Sequence, residues 1–272
     1  DTKISFTQDI TYQADNALSE QSNSIVVRVT QDSLILGVQD DVGKLYDYST
    51  LGETWSSPRI FRMPNTDAPD DNTLDDIYVA VMGAGKSSAN PFIGTSVFVI
   101  NLEDPTNPGK IESKISIVDD LSNGVVASTP ATPTVITPDT GTSGIRFRGA
   151  LVYQPDYEGK ITKINLTNMK CDNGALSGNC PQDSSEIKRF DSTILFDAET
   201  DNTNRRFMFH SLDAAIGTST TGLWLFNGTG DYDRINDTST GVDNILFGIR
   251  DKHYPNYVHE YDKTSLSDVD NL

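Results

Sequence analysis

The chain has 272 residues, 36% of them hydrophobic, and its 39 acidic and 21 basic residues give a formal net charge of −18. This length can form one all-β domain or two smaller ones with a sizeable core. The negative charge argues against a nucleic-acid partner, because phosphate contacts require Lys and Arg. No run approaches the roughly 20 apolar residues of a membrane span.

The first part of the chain predicts short strands. Residues 1–23 are polar and predict one edge strand and a loop, and the absence of a signal-peptide pattern at Asp1 predicts a processed or excised piece. The apolar runs 24–29 and 33–38 suggest strands. Asp40-Asp41-Val42-Gly43 has turn chemistry and predicts a hairpin.

An acidic segment precedes the next predicted strand, Ile77–Met82. Clustered hard oxygens in a loop are what Ca²⁺ prefers, although the spacing of an EF-hand-type loop is absent. A solvated acidic loop is the alternative, and it also fits the net charge. The candidate calcium ligands are Asp67, Asp70, Asp71, Asn72 and Asp75, with Asp76 adjoining them.

The middle of the chain predicts further strands at 95–101, 111–118 and 132–137. Cys171 and Cys180 then lie in a Gly/Asn-rich loop, CDNGALSGNC. Their spacing suits a disulfide, which would imply an oxidising compartment. Two free cysteines are the alternative, and without a nearby His or further Cys they make a poor zinc site.

The last third begins with a strand at 194–196, followed by the alternating acids Asp197, Glu199 and Asp201. Alternation on one exposed strand face explains these acids better than a calcium loop. The run 206–209 predicts a strand that ends at a packed His210. Leu223–Phe226 has the apolar and aromatic composition of a fully buried strand. Glycines at positions 228 and 230 predict a backbone with positive φ or a close approach of another chain segment to the backbone there. A further strand is expected at 245–249.

Three stretches resemble the PilY1 family of type IV pilus biogenesis and tip-adhesin proteins. Leu51–Pro58 reads LGETWSSP, close to a Gly-Glu-Thr/Ser-Trp-Ser-x-Pro segment of that family. Val152–Leu166 matches a family hairpin in outline, so the resemblance implies a hairpin over 152–166 that turns at Asp156 and Gly159. Leu223–Asp251 places Phe-Asn-Gly-Thr-Gly before Phe-Gly-Ile-Arg-Asp, as in a family strand pair.

The resemblance implies an all-β fold, a quinoprotein-like β-propeller with modified blades, of which this chain covers only part. The predicted blade segments recur every ~35–45 residues, as propeller repeats do. The expected organisation is one propeller domain over 1–272 with a polar tail at 252–272. Trp55 is expected to pack between blades, with Pro58 ending the turn. The loop 138–146 contains a single carboxylate, Asp139, so the family's calcium loop is not carried over to this position.

The functional expectation is a non-enzymatic protein with no catalytic residues, since no nucleophile–base constellation or catalytic motif is found. The resemblance implies a cell-surface location at the tip of a type IV pilus. Its implied partners are minor pilins, together with host or abiotic surfaces. No cofactor is predicted apart from the possible calcium ion. The alternative is a secreted quinoprotein-like or carbohydrate-active propeller enzyme, because any acidic chain contains candidate carboxylate pairs.

Overall fold

The computed structural model falls into two compact units, residues 1–49 and 50–272. The prediction of one domain over the whole chain stays a prediction. The elements with defined bounds are all β-strands, which confirms the all-β fold class. The structure describes residues 28–29, 34–35, 45–65, 76–87, 93–119, 125–137, 148–168, 189–198, 206–216, 222–231, 243–257 and 264–265.

The first unit contains one short antiparallel pair. Strand β1 (Arg28–Val29) pairs with β2 (Leu34–Ile35), and Val29 lies opposite Leu34. The turn predicted at 40–43 and the edge strand predicted within 1–23 lie outside the described residues.

The second unit begins with a four-stranded antiparallel sheet in the order β3–β4–β5–β6. Its side chains alternate between two faces, as the strand period of two requires. Phe61, Val79, Val99 and Ile115 lie on the core face. The strands are β3 (Arg59–Met63), β4 (Ile77–Gly83), β5 (Ser96–Asn101) and β6 (Ile111–Ser116), and the last three are close to the predicted positions.

The central sheet has five strands in the order β14–β10–β9–β8–β7, antiparallel except for the β10–β14 pair. The hairpin predicted at 152–166 is confirmed, with Gly159 in its turn at φ 78°. Both of its strands are buried throughout. The strands are β7 (Thr134–Ile136), β8 (Gly149–Pro155), β9 (Lys160–Thr167), β10 (Ser192–Asp197) and β14 (Thr264–Ser265).

The third sheet contains β11 (Asp213–Ile216), β12 (Leu223–Gly228) and β13 (Leu246–Asp251), all antiparallel. The predicted β12–β13 pair is confirmed, but β12 is not fully buried. Leu223 and Leu225 face the core, whereas Phe226 is exposed. The expectation for the two glycines is wrong. Neither Gly228 nor Gly230 has positive φ, and an added Cβ would meet nothing closer than 3.7 Å at the first and nothing within 4 Å at the second.

The central hairpin separates two hydrophobic cores. On one face Leu151 and Ile161 pack with residues of β10, β12 and β13. On the other face Val152 and Ile164 pack with residues of the four-stranded sheet. The three sheets of the second unit are therefore layered face to face, with β8 and β9 in the middle. The described residues do not show these sheets closing into a propeller ring.

Two local predictions are wrong. Residues 206–209 do not form a strand, and His210 is exposed rather than packed. Trp55 is 54% exposed and does not lie between sheets. Large apolar side chains such as that of Trp55 are often found at the surface, because much of a folded protein's surface is apolar. Among the described residues, no helix is long and apolar enough to cross a membrane.

Candidate functional site: a buried ion pair and an aromatic ledge

The centre of the second unit holds an ion pair that is completely removed from solvent. Lys163 Nζ donates to Asp251 Oδ2 at 2.5 Å, and both side chains have no exposed surface. Tyr153 Oη donates to the same carboxylate oxygen at 2.8 Å. Tyr153 and Lys163 belong to the central hairpin and Asp251 ends β13. The pair therefore joins two sheets.

The strand period explains why a lysine reaches this position. Lys163 follows Ile161 by two residues on β9, so both lie on the face turned toward the third sheet. Burial lowers the pKa of Lys163, while Asp251 opposes this effect through its charge and hydrogen bond. An unpaired ammonium in this apolar core would lower the stability of the fold, because burial removes its hydration. The Asp251 carboxylate compensates for that loss.

The segment that follows β13 makes hydrogen bonds to this ion pair. The Asn256 carbonyl accepts a hydrogen bond from Lys163 Nζ at 2.7 Å, and Asp251 Oδ1 accepts the His253 N–H at 3.1 Å. Tyr257 is fully buried in the core beneath it. Residues 252–257, which the sequence analysis placed in a polar tail, are thus part of the packed structure.

A second buried charged group forms the turn between β8 and β9. Asp156 Oδ1 accepts the backbone N–H groups of Glu158 and Lys160 at 2.8 and 3.0 Å. Lys160 Nζ bonds Glu158 at 2.9 Å and lies 3.5 Å from Asp156 Oδ2. Burial raises the pKa of Asp156 to about 6, although the Lys160 charge opposes that shift. For Lys160, burial lowers the pKa, but the carboxylates outweigh it and the pKa is raised.

Aromatic side chains gather beside this turn. The Tyr157 ring stacks on the Phe207 ring with their centroids 5.2 Å apart and an interplanar angle of 18°, and the Tyr157 and Phe209 centroids are 6.2 Å apart. The Phe209 centroid lies 5.4 Å from the Trp55 centroid and 5.4 Å from the His210 centroid. We call these five residues the aromatic ledge. Tyr157 and Phe207 are buried and Phe209 is half-buried, while Trp55 and His210 are exposed.

Hydrogen bonds hold the loop that carries Trp55 both before and after this residue in the sequence. Thr54 Oγ1 donates to the Gly83 carbonyl at 3.1 Å, and Ser56 Oγ accepts the Gly83 N–H at 2.9 Å. Ser57 N–H donates to Thr132 Oγ1 at 2.8 Å. Because the hydrogen bonds fix the backbone, the exposed indole is presented in a defined place. An exposed Trp on an ordered loop is a typical contact residue of binding surfaces.

The residues predicted as ligands lie largely outside the described part. This holds for Asp67, Asp70, Asp71, Asn72 and Asp75, and also for Cys171 and Cys180. The calcium site and the disulfide stay predictions. Within the described ranges no group of three or more His, Cys, Asp or Glu residues could hold a metal ion.

Two of the acidic residues considered in the sequence are engaged with cations. Asp76 forms ion pairs with Arg148 at 2.9 Å and Arg62 at 3.4 Å. Asp197 lies opposite Lys160 in the β9–β10 register, and its charge acts on that ammonium. The ion pairs of Asp76 thus connect the strand that follows it to the residue preceding β8.

The sequence does not indicate the Lys163–Asp251 pair. The available signals were a lysine between two isoleucines in KITKINL and an aspartate that ends the strand LFGIRD. Each is ordinary by itself, because a strand normally has a polar face. The pair becomes visible only when the two sheets are brought together.

The fold and this site define an all-β protein whose layered antiparallel sheets are joined by buried ion pairs and display an aromatic surface. No family model and no curated protein sequence matches the chain. A solved structure, the C-terminal domain of Pseudomonas aeruginosa PilY1, is similar with a TM-score of 0.48 and 19% identity over 75% of this chain. The chain spans 38% of the length of that solved chain. A similarity of this size does not establish membership in the family.

Proposed function

We propose that this chain is a PilY1-like, non-enzymatic binding module at the tip of a type IV pilus. One observation carries the proposal: the three stretches that resemble that family contact one another, directly or through one residue. Tyr153 and Lys163 of the second stretch bond Asp251 of the third. Trp55 of the first reaches Tyr157 of the second through Phe209. The three stretches thus lie together in the core and on the adjoining surface of one unit.

The proposed role is to support pilus assembly and surface adhesion from the outside of the cell. Two features of the structure suit a binding scaffold. The buried ion pairs Lys163–Asp251 and Lys160–Glu158 reinforce the central hairpin, and the aromatic ledge presents Trp55 on an anchored loop. Aromatic residues on a fixed backbone bind with little loss of conformational entropy. Minor pilins, and host or abiotic surfaces, are the proposed partners.

Immunogold labelling of intact cells with an antibody to this chain tests the location. The matched control is a strain that lacks the major pilin and therefore assembles no pili. We expect gold at the ends of pili in the first strain and none on the surface of the second. Gold in the periplasm or the medium, with none on pili, would refute the proposal.

Binding to minor pilins is tested with purified proteins by surface plasmon resonance. We expect the wild-type chain to bind at least one minor pilin and Trp55→Ala to bind at least about tenfold more weakly, as a central aromatic contact requires. Ile60→Ala is the control, because Ile60 is 63% exposed and lies on β3, outside the ledge. Equal weakening by both substitutions would show that the ledge is not the contact surface.

A further inference from the structure

We propose that the turn between β8 and β9 is a proton-binding device that couples mildly acidic pH to the arrangement of the aromatic ledge. The contacts involved lie within the second unit and do not depend on a location at the pilus. A negative result for this device would leave the proposed function standing, and a negative result for the pilus location would leave the device standing.

The first observation is a buried carboxylate oxygen without a hydrogen-bond donor. Asp156 has no exposed surface, and its Oδ1 already accepts two backbone N–H groups. Its Oδ2 has no hydrogen-bond partner and lies 3.5 Å from the Lys160 ammonium. An ionised oxygen in that position loses its hydration without full replacement, which penalises the charged form.

The second observation is a set of neutral oxygens near the same turn that also lack partners. Gln154 Oε1 and Thr162 Oγ1 are buried and make no hydrogen bond. Gln154 and Thr162 lie directly opposite each other in the β8–β9 register, two residues from Asp156 and Lys160 respectively. Asp156 Oδ2 and Gln154 Oε1 are thus two buried acceptors at this hairpin end that receive no hydrogen bond. A proton bound by Asp156 turns its carboxylate oxygen from an acceptor into a donor.

The charged groups around Asp156 favour proton exchange at a moderate pH. Burial is the largest influence and raises the pKa of Asp156 to about 6, with the Lys160 charge lowering it and the Glu158 charge raising it. Asp197 on β10 acts on Lys160. On the ledge side, the Lys86 ammonium lies 5.4 Å from the centre of the Tyr157 ring.

The third observation is the direct connection between this turn and the ledge. The Asp156 carbonyl accepts the Met208 N–H at 3.1 Å, between Phe207 and Phe209. The next residue, Tyr157, donates its N–H to the Ser128 carbonyl at 2.9 Å and stacks on Phe207. A change in the Asp156 hydrogen bonds therefore moves the backbone that positions the ledge rings.

The test is a pH titration of Trp55 fluorescence between pH 4.5 and 8 in a Trp224→Phe background, which leaves a single tryptophan. We expect a spectral transition with a midpoint near 6, the value to which burial raises the pKa of Asp156. Asp156→Asn removes the titrating group while retaining an oxygen for the turn, and it is expected to abolish the transition. A transition that persists in Asp156→Asn, or the absence of any transition in the parent, overturns the proposal.

Two further measurements keep the result decisive. His210→Gln is the matched control, because His210 contacts Phe209 and histidine side chains commonly titrate in this pH range. Its transition is expected to survive, and its loss would assign the effect to His210 and refute the proposal. If Asp156→Asn does not fold, the carboxyl ¹³C shift of Asp156 in the parent protein decides. A midpoint near 6 supports the device, and one near the ordinary value of 3.8 overturns it.

Discussion

Removing the buried ammonium by Lys163→Met is expected to destabilise the second unit strongly. Methionine has a similar length but cannot donate to Asp251. The carboxylate would keep the Tyr153 hydroxyl and the His253 N–H as donors, at 2.8 and 3.1 Å. It would lose its buried ion pair with Lys163. The Asn256 carbonyl would lose its bond from the ammonium as well.

The expected size follows from the burial of both partners. Leaving one member of a fully buried pair uncompensated costs about 3–5 kcal/mol in free energy of unfolding. For a unit of about 220 residues this corresponds to a fall in melting temperature of roughly 6–20 °C. An exposed pair would be screened by water, and its loss would be far smaller.

The assay is urea unfolding followed by circular dichroism and by tryptophan fluorescence, whose agreement would indicate a single transition. Lys110→Met is the matched control, because Lys110 pairs with Asp104 at 2.9 Å in a more solvent-accessible place. A double variant, Lys163→Met with Asp251→Leu, removes both charges. We expect it to recover a substantial part of the loss, since no buried charge remains.

Two results would refute this reasoning. A loss below about 1 kcal/mol for Lys163→Met would show that water reaches the pair or that the carboxylate is easily neutralised. A double variant whose loss equals the sum of the two single losses would show that the charges do not depend on each other.

Three further predictions concern the same unit. Gly149→Ala is expected to lower the free energy of unfolding by at least about 2 kcal/mol, because φ is +100° and a Cβ would lie 2.2 Å from the Leu166 carbonyl oxygen. Gly230→Ala, with nothing within 4 Å, should leave the urea midpoint almost unchanged. Thr129→Val is expected to cost about 1–2 kcal/mol in the same assay, because this hydroxyl bonds three buried backbone groups. For Asp156 the pKa rises from 3.8 to about 6 on folding. The contribution of protonated Asp156 to the free energy of unfolding is therefore complete below about pH 4. It is lost as the pH rises through 6, which lowers the free energy of unfolding by about 3 kcal/mol. Urea unfolding from pH 4 to 7.5 should show this decline in the parent, and a similar decline in Asp156→Asn would contradict it.

The sequence by itself determined the strands and several of their connections. Apolar runs bounded by turn residues located β4, β5 and β13 to within a few residues, because strand period and turn chemistry are local properties. The central hairpin, with Asp156 and Gly159 in its turn, was expected from the family resemblance and is confirmed. The sequence did not indicate that both faces of this hairpin are buried, because polar residues occupy more than half of β9.

Local patterns could not decide which apolar side chains would be covered. Leu223–Phe226 has the composition of a buried strand, yet Phe226 is 38% exposed because the other face of its sheet packs on the core. Trp55 reads as a packing residue, yet it lies at the surface on Phe209. Coverage depends on the neighbouring layer, and that layer comes from a distant part of the chain.

Only the tertiary structure decided where the charges meet. Lys163 and Asp251 are 88 residues apart, and neither strand contains a sign of the other. Asp76 and Arg148 meet across 72 residues in the same way. Electrostatic partners at such separations are set by how the sheets are layered, since the energy of a charge depends on its surroundings in space and not on its neighbours in sequence.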